Sequence, residues 1–149
     1  MKKIITLATL AAIAATAWAA ESAMFNFAQN GAALLGLTAP SSSSSNAGDI
    51  TAAKTATVDD VTFTVSPSTT NMTNRLYSDY YGKVQLRVYS GTITIAAPAG
   101  KSVTGVTFYN SKWTEPEASS GTFTGNKWAG SASPVVYTVG AQMRLDSVL

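Results

Sequence analysis

An all-β fold, an antiparallel β-sandwich of jelly-roll type with about eight strands, is what this sequence predicts. From Val58 onward, apolar residues alternate with threonine or charge at a period of two, the spacing of a half-buried strand. The candidate strands recur at regular intervals between turns rich in Gly, Ser, Pro and Asn, with few helical segments among them. No internal repeat is long enough to indicate a propeller or a solenoid.

The chain opens on "MKKIITLATLAAIAATAWAA", with Lys2 and Lys3, an apolar run from Ile4 to Ala15, and small residues at Ala17 and Ala19. This is the layout of a secretory signal peptide, residues 1–19, cleaved after Ala19, and its apolar run is short for a membrane span. Residues 20–149 then form one domain, secreted or held in the periplasm or at the cell surface. No second long apolar run follows, so no transmembrane helix is expected in the mature chain.

The leader also carries the charge excess. The chain has ten basic and eight acidic residues, and loss of Lys2 and Lys3 leaves eight of each. A balanced chain lacks the electrostatic footprint of a nucleic-acid binder, so no nucleic-acid partner is expected. There is no cysteine, which closes both disulfide bracing and attachment as a lipoprotein. About 130 residues hold themselves together by burial alone, since a domain of this size buries roughly two-thirds of its unfolded surface.

In "AMFNFAQ", Phe25 and Phe27 alternate with polar neighbours as in a short strand, and "NGAALLGLT" suggests one helical turn. A serine-rich stretch follows from Ala39 to Thr57, with Ser41 to Ser45 in a row, the composition of a flexible surface loop. "VTFTV" then turns Val61, Phe63 and Val65 to one face. "KVQLRVY" buries Val84, Leu86 and Val88 and leaves Lys83, Gln85, Arg87 and Tyr89 wet, and "TITIA" buries Ile93 and Ile95.

Two segments break the alternation. Val103 is out of phase with Val106 and Phe108, which calls for a bulge near Thr104 and Gly105. In "QMRLDSVL" Met143 and Leu145 are in phase and Val148 is not. Between them, "GTFTG" and "SPVVYTV" supply two further strands.

The succession "RLY…LRVYSGTITIAAPAGKSVTGVTFYN", "SGTFTGNKWAGSASPVVYTV" and "QMRLDSVL" resembles small secreted proteins and domains of gut Bacteroidota, in which a phenylalanine-rich strand precedes "ITIxAPxGxxIxxIxF", "WxGxAxxVxF" and "xxRIxxIxV". The likeness runs from Phe25 to the end of the chain. It implies a largely uncharacterised secreted all-β domain, similar in shape to carbohydrate-binding modules.

Catalysis has few residues to draw on. Without histidine or cysteine there is no imidazole base and no thiolate, and no "GxSxG" surrounds a serine. Paired carboxylates are the remaining route, since a glycosidase holds two of them about 5 to 9 Å apart. Glu115 and Glu117 in "WTEPEAS", Asp59 with Asp60, and Asp79 are the candidates, with solvated turns as the plain alternative. An acidic dipeptide is too little for a calcium ion, so neither metal nor cofactor is expected.

Aromatic residues offer more. "RLYSDYYGK" gathers Arg75, Tyr77, Asp79, Tyr80 and Tyr81, and "FYNSKWTE" adds Tyr109 and Trp113. A sugar has an apolar ring face and a rim of hydroxyls, which a flat aromatic ring and nearby polar groups satisfy together. Trp128 in "GNKWAGS" is expected in the core. The expected function is a non-catalytic exported module that binds a polysaccharide or cell-surface glycan through these loops. A surface assembly protein pairing through its strand edges is the alternative, and a glycosidase the third possibility.

Overall fold

The computed structural model describes residues 21–149, and the expected leader lies outside them. The elements run β1 (Phe25–Asn26), α1 (Phe27–Leu35), β2 (Lys54–Val58), β3 (Val61–Val65), β4 (Arg75–Ser78), β5 (Val84–Val88), β6 (Gly91–Ala96), β7 (Val103–Lys112), β8 (Glu117–Ala118), β9 (Thr122–Thr124), β10 (Lys127–Ala132), β11 (Val135–Val139) and β12 (Met143–Val148). They form two sheets, and every strand pairing is antiparallel. Seven strands make the first sheet, in the order β4-β5-β12-β7-β10-β9 with β1 also beside β12, and five make the second, β2-β3-β6-β11-β8.

The apolar set of each alternating strand meets between the sheets. Phe63, Val65, Leu76, Leu86, Val88, Ile93, Phe108, Val135, Tyr137, Met143 and Leu145 are all fully buried. Helix α1 closes one flank of this core. Asn26 caps it by accepting the Gln29 N–H at 3.1 Å, and the chain leaves it through Gly36 in the left-handed region. Phe27, Gly31 and Leu35, spaced four apart, are its buried stripe. A Cβ at Gly31 would stand 2.9 Å from a Leu76 methyl, so helix and sheet touch closely there.

The structure corrects the expected strand count, with twelve strands among the described residues where about eight are expected. The additional ones are β2, β4, β8 and β10. Their sequences are polar, glycine-containing or only two residues long, and they become strands because a neighbouring strand offers its backbone groups. The serine-rich stretch is corrected in the same way. Its end, from Lys54, belongs to β2, while Ile50 is buried and donates its N–H to the Asn74 carbonyl at 2.8 Å. Asp59 and Asp60 join β2 to β3 with φ of 47° and 62°, the conformation of a two-residue hairpin turn of type I′.

Both breaks in alternation correspond to shifts in pairing. Along β12 the register against β7 slips around Asp146, so Met143, Leu145 and Val148 are all buried. The bulge expected at Thr104 and Gly105 is corrected: the extra residue lies on the partner strand, where three steps from Ala129 to Ala132 face only two from Gly105 to Val103, and Val103 stays out of phase and only half-buried.

One buried polar residue ties the sheets together. Asn74, fully buried, donates to the carbonyls of Ser66 (3.0 Å) and Ser90 (2.7 Å) and accepts from the Tyr89 N–H at 2.7 Å. It thereby joins the start of β4 to the end of β3 and to the crossing from β5 to β6.

Candidate functional site

The seven residues expected to form a ligand site separate into three environments. Asp79, Tyr80 and Tyr81 form the tip of the β4–β5 hairpin. The Asp79 carboxylate accepts the N–H groups of Tyr81 (2.9 Å) and Lys83 (2.7 Å), and Gly82 completes the turn at φ 81°. With the backbone so held, Tyr80 and Tyr81 project outward, 89% and 91% exposed, ring edge to ring face at 5.5 Å.

Arg75, Tyr77 and Tyr109 lie on the outer face of the seven-stranded sheet. Leu76 and Phe108 point inward, so their chain neighbours point out. The Arg87 guanidinium carbon rests 3.2 Å from the centre of the Tyr77 ring, which occupies one face of that ring. Arg75 meets Asp49 at 3.1 Å, and Tyr109 is 43% exposed.

Trp113 belongs to neither surface. It packs on Phe108 (5.4 Å between ring centres) and Phe123 (5.7 Å), and this cluster continues through Tyr137, whose ring meets Phe108 at 5.1 Å and Trp128 at 6.0 Å. Trp128 is buried as expected, donating its indole N–H to the Ser120 carbonyl at 2.7 Å. Burial pushes the Tyr137 hydroxyl well above the ordinary tyrosine pKa, and that hydroxyl has no hydrogen-bond partner among the described residues.

Strand register keeps Trp113 away from the hairpin tip. The tip precedes Val84, at the start of β5, whereas Trp113 follows Lys112, which pairs with Arg144, itself opposite Arg87 near the end of β5. That is about 10 Å or more of extended strand, so the two aromatic groups do not share one binding surface.

The carboxylates are no closer to forming a site. Glu115 and Glu117 are exposed on either side of the buried Pro116, and Asp59 and Asp60 are exposed in their turn. Among the described residues no three acidic side chains converge as for a metal ion. A cleft of about 1030 Å³ runs between Ala23, Phe25, the Ala97–Val106 segment and Trp128, and none of the seven residues lines it.

A feature that reading by segments misses is a row of basic side chains on the outer face. Arg75 pairs with Arg87, Arg87 with Arg144, and Arg144 with Lys112, each directly opposite the next across β4, β5, β12 and β7. Each is an ordinary wet-face position in its own segment. Only the register aligns them.

Compared with family models, with curated proteins and with solved structures, the chain matches none. No described helix is long and apolar enough to cross a membrane.

Proposed function

We propose that this protein is an exported, non-catalytic domain that binds glycans, in line with its resemblance to secreted domains of gut Bacteroidota. The observation that carries the proposal is the Tyr80–Tyr81 pair. Two aromatic rings almost wholly in water contribute nothing to the core, and the turn that presents them is fixed by its own hydrogen bonds. A platform ordered before the ligand arrives loses little entropy on binding, and sugar rings stack on such surfaces. The affinity expected of a shallow site of this kind is about −4 to −8 kcal/mol, millimolar to micromolar.

The same proposal takes the two sheets as a jelly roll. Its support is the nesting of the pairs β5 with β12, β6 with β11 and β7 with β10, the pattern of one long hairpin rolled into two layers. Assembly through strand edges has less behind it. At the β4 edge the Leu76 N–H is already taken by the Gly48 carbonyl, and β8 and β9 are two and three residues long.

The test is native affinity electrophoresis through gels containing plant, host and bacterial polysaccharides. Retardation by at least one polymer, lost in a folded Tyr80→Ala/Tyr81→Ala variant, is the expected result. Unaltered migration of the wild-type protein through every gel would refute the proposal.

A further inference from the structure

We infer that Arg75, Arg87, Arg144 and Lys112 form a site for an acidic polysaccharide, one carrying carboxylate or sulfate groups, laid across β4, β5, β12 and β7. The inference rests on the glycan reading above and assigns its ligand class.

Like charges placed directly opposite one another in a sheet destabilise it. This fold accepts three such pairings in succession and answers them with little opposite charge. Among the described residues Asp49, bridged to Arg75 at the β4 edge, is the sole acid in an ion pair with any of the four cations. The nearby Asp146 is paired with Lys83 at 3.2 Å. A chain of eight bases and eight acids outside its leader therefore concentrates on one face a cationic stripe in which only Arg75 is ion-paired among the described residues.

The side chains are also held in place. The Arg87 guanidinium lies on Tyr77, while Gln142 Oε1 accepts from Lys112 Nζ at 3.2 Å and from Arg144 Nη2 at 3.5 Å. The Nε atoms of Arg87 and Arg144 are buried without a hydrogen-bond partner among the described residues. Guanidinium forks suit carboxylate and sulfate oxygens, which accept two parallel N–H bonds.

Geometry favours a polymer of acidic sugars over an isolated anion. Neighbouring strands are about 4.8 Å apart, close to the length of one pyranose ring, so the four cations extend over about 14 Å and meet successive rings. A nucleic acid would call for a longer basic track, whereas this stripe ends at Asp49 and has Asp146 beside it.

The experiment measures retardation of the purified protein by polygalacturonate, dextran sulfate, a neutral galactan, single-stranded DNA and anionic phospholipid vesicles, at low and high salt. The expected result is binding to an acidic polysaccharide that weakens with salt and falls at least tenfold in Arg87→Gln/Arg144→Gln. Polygalacturonate and dextran sulfate separate the carboxylate from the sulfate source. If the Gln variant does not fold, Arg87→Lys/Arg144→Lys decides: the charge survives, the forks are lost, and at least a threefold weakening is expected. Undiminished binding in the folded arginine variant overturns the inference. Binding to neutral galactan alone overturns it while leaving the glycan reading intact, and binding to no glycan removes both. Retardation by DNA or vesicles without any by the acidic polysaccharides replaces the ligand class.

Discussion

Two rows of side chains cross the same three strands one residue apart and point to opposite sides of the sheet. Leu76, Leu86 and Leu145 form the inner row, and Arg75, Arg87 and Arg144 the outer one. In the inner row each neighbour removes the others from water and every contact favours folding. In the outer row each neighbour repels the next. The pairing that stabilises the leucines thus imposes the arginine alignment, whose repulsion the fold offsets only in part, through Asp49 beside Arg75 and the Tyr77 ring beneath Arg87. The core accounts for the fold, and the outer face is free to carry side chains the fold does not need.

Disturbing the inner side should have the largest effect. Trp128 fills the space between β10 and the Ser120–Gly121 turn, where a Cβ on Gly121 or Gly130 would fall 2.5 Å from its ring. Trp128→Ala is expected to cost about 3–5 kcal/mol in chemical denaturation. Gly130→Ala, which forces that contact, should cost about 1–3 kcal/mol and leave the cationic row unaffected.

Asn74→Ala comes next, at about 2–4 kcal/mol, because buried backbone groups of Ser66, Tyr89 and Ser90 would lose their partner. The loss should appear in hydrogen exchange as faster opening at the crossing from β5 to β6.

Tyr137→Phe should instead leave stability unchanged or raise it by about 1 kcal/mol, since it removes a buried hydroxyl without a partner. Its effect also depends on pH. The Tyr137 pKa is raised in the folded state, so the unfolded chain ionises first. Wild-type stability is then undiminished below about pH 10 and falls as pH rises above it, by up to about 1.4 kcal/mol per pH unit for this one group. Denaturation curves from pH 8 to 11 should show that part of the decline in the wild-type protein and its absence in the variant.

The smallest effect belongs to the outer row. Arg144→Gln should raise stability by a few tenths of a kcal/mol at low salt by removing repulsion from Arg87, and the gain should fade as salt is added. A measurable loss of stability would mean that the row contributes to the fold, and the contrast between the two sides of the sheet would weaken.

Much of the core was legible because burial follows the period of two. Phe63, Val65, Leu86, Val88, Ile93 and Ile95 are buried where alternation puts them, and the phase break at Val148 marks a real slip in register. The candidate site was legible only in part. Tyr80 and Tyr81 are as exposed as their polar, glycine-containing segment suggests, but "FYNSKWTE" gives no sign that Trp113 turns onto Phe108 and Phe123. A side chain after the end of a strand has no alternation to obey, so its direction depends on which neighbours cover it.

The sequence by itself determined most of the residues the regularly alternating strands bury, because apolar alternation is local, whereas Gln85, read as wet, is buried where β5 meets Ser111 and Asp146 across the sheet. It also set the balance of charge and the lack of cysteine. Tertiary structure alone decided which strands lie side by side. Register is a relation between residues as distant as Arg75, Arg87 and Arg144, so their shared row, the Asn74 tie and the separation of Tyr80 from Trp113 came into being only when the sheets were assembled.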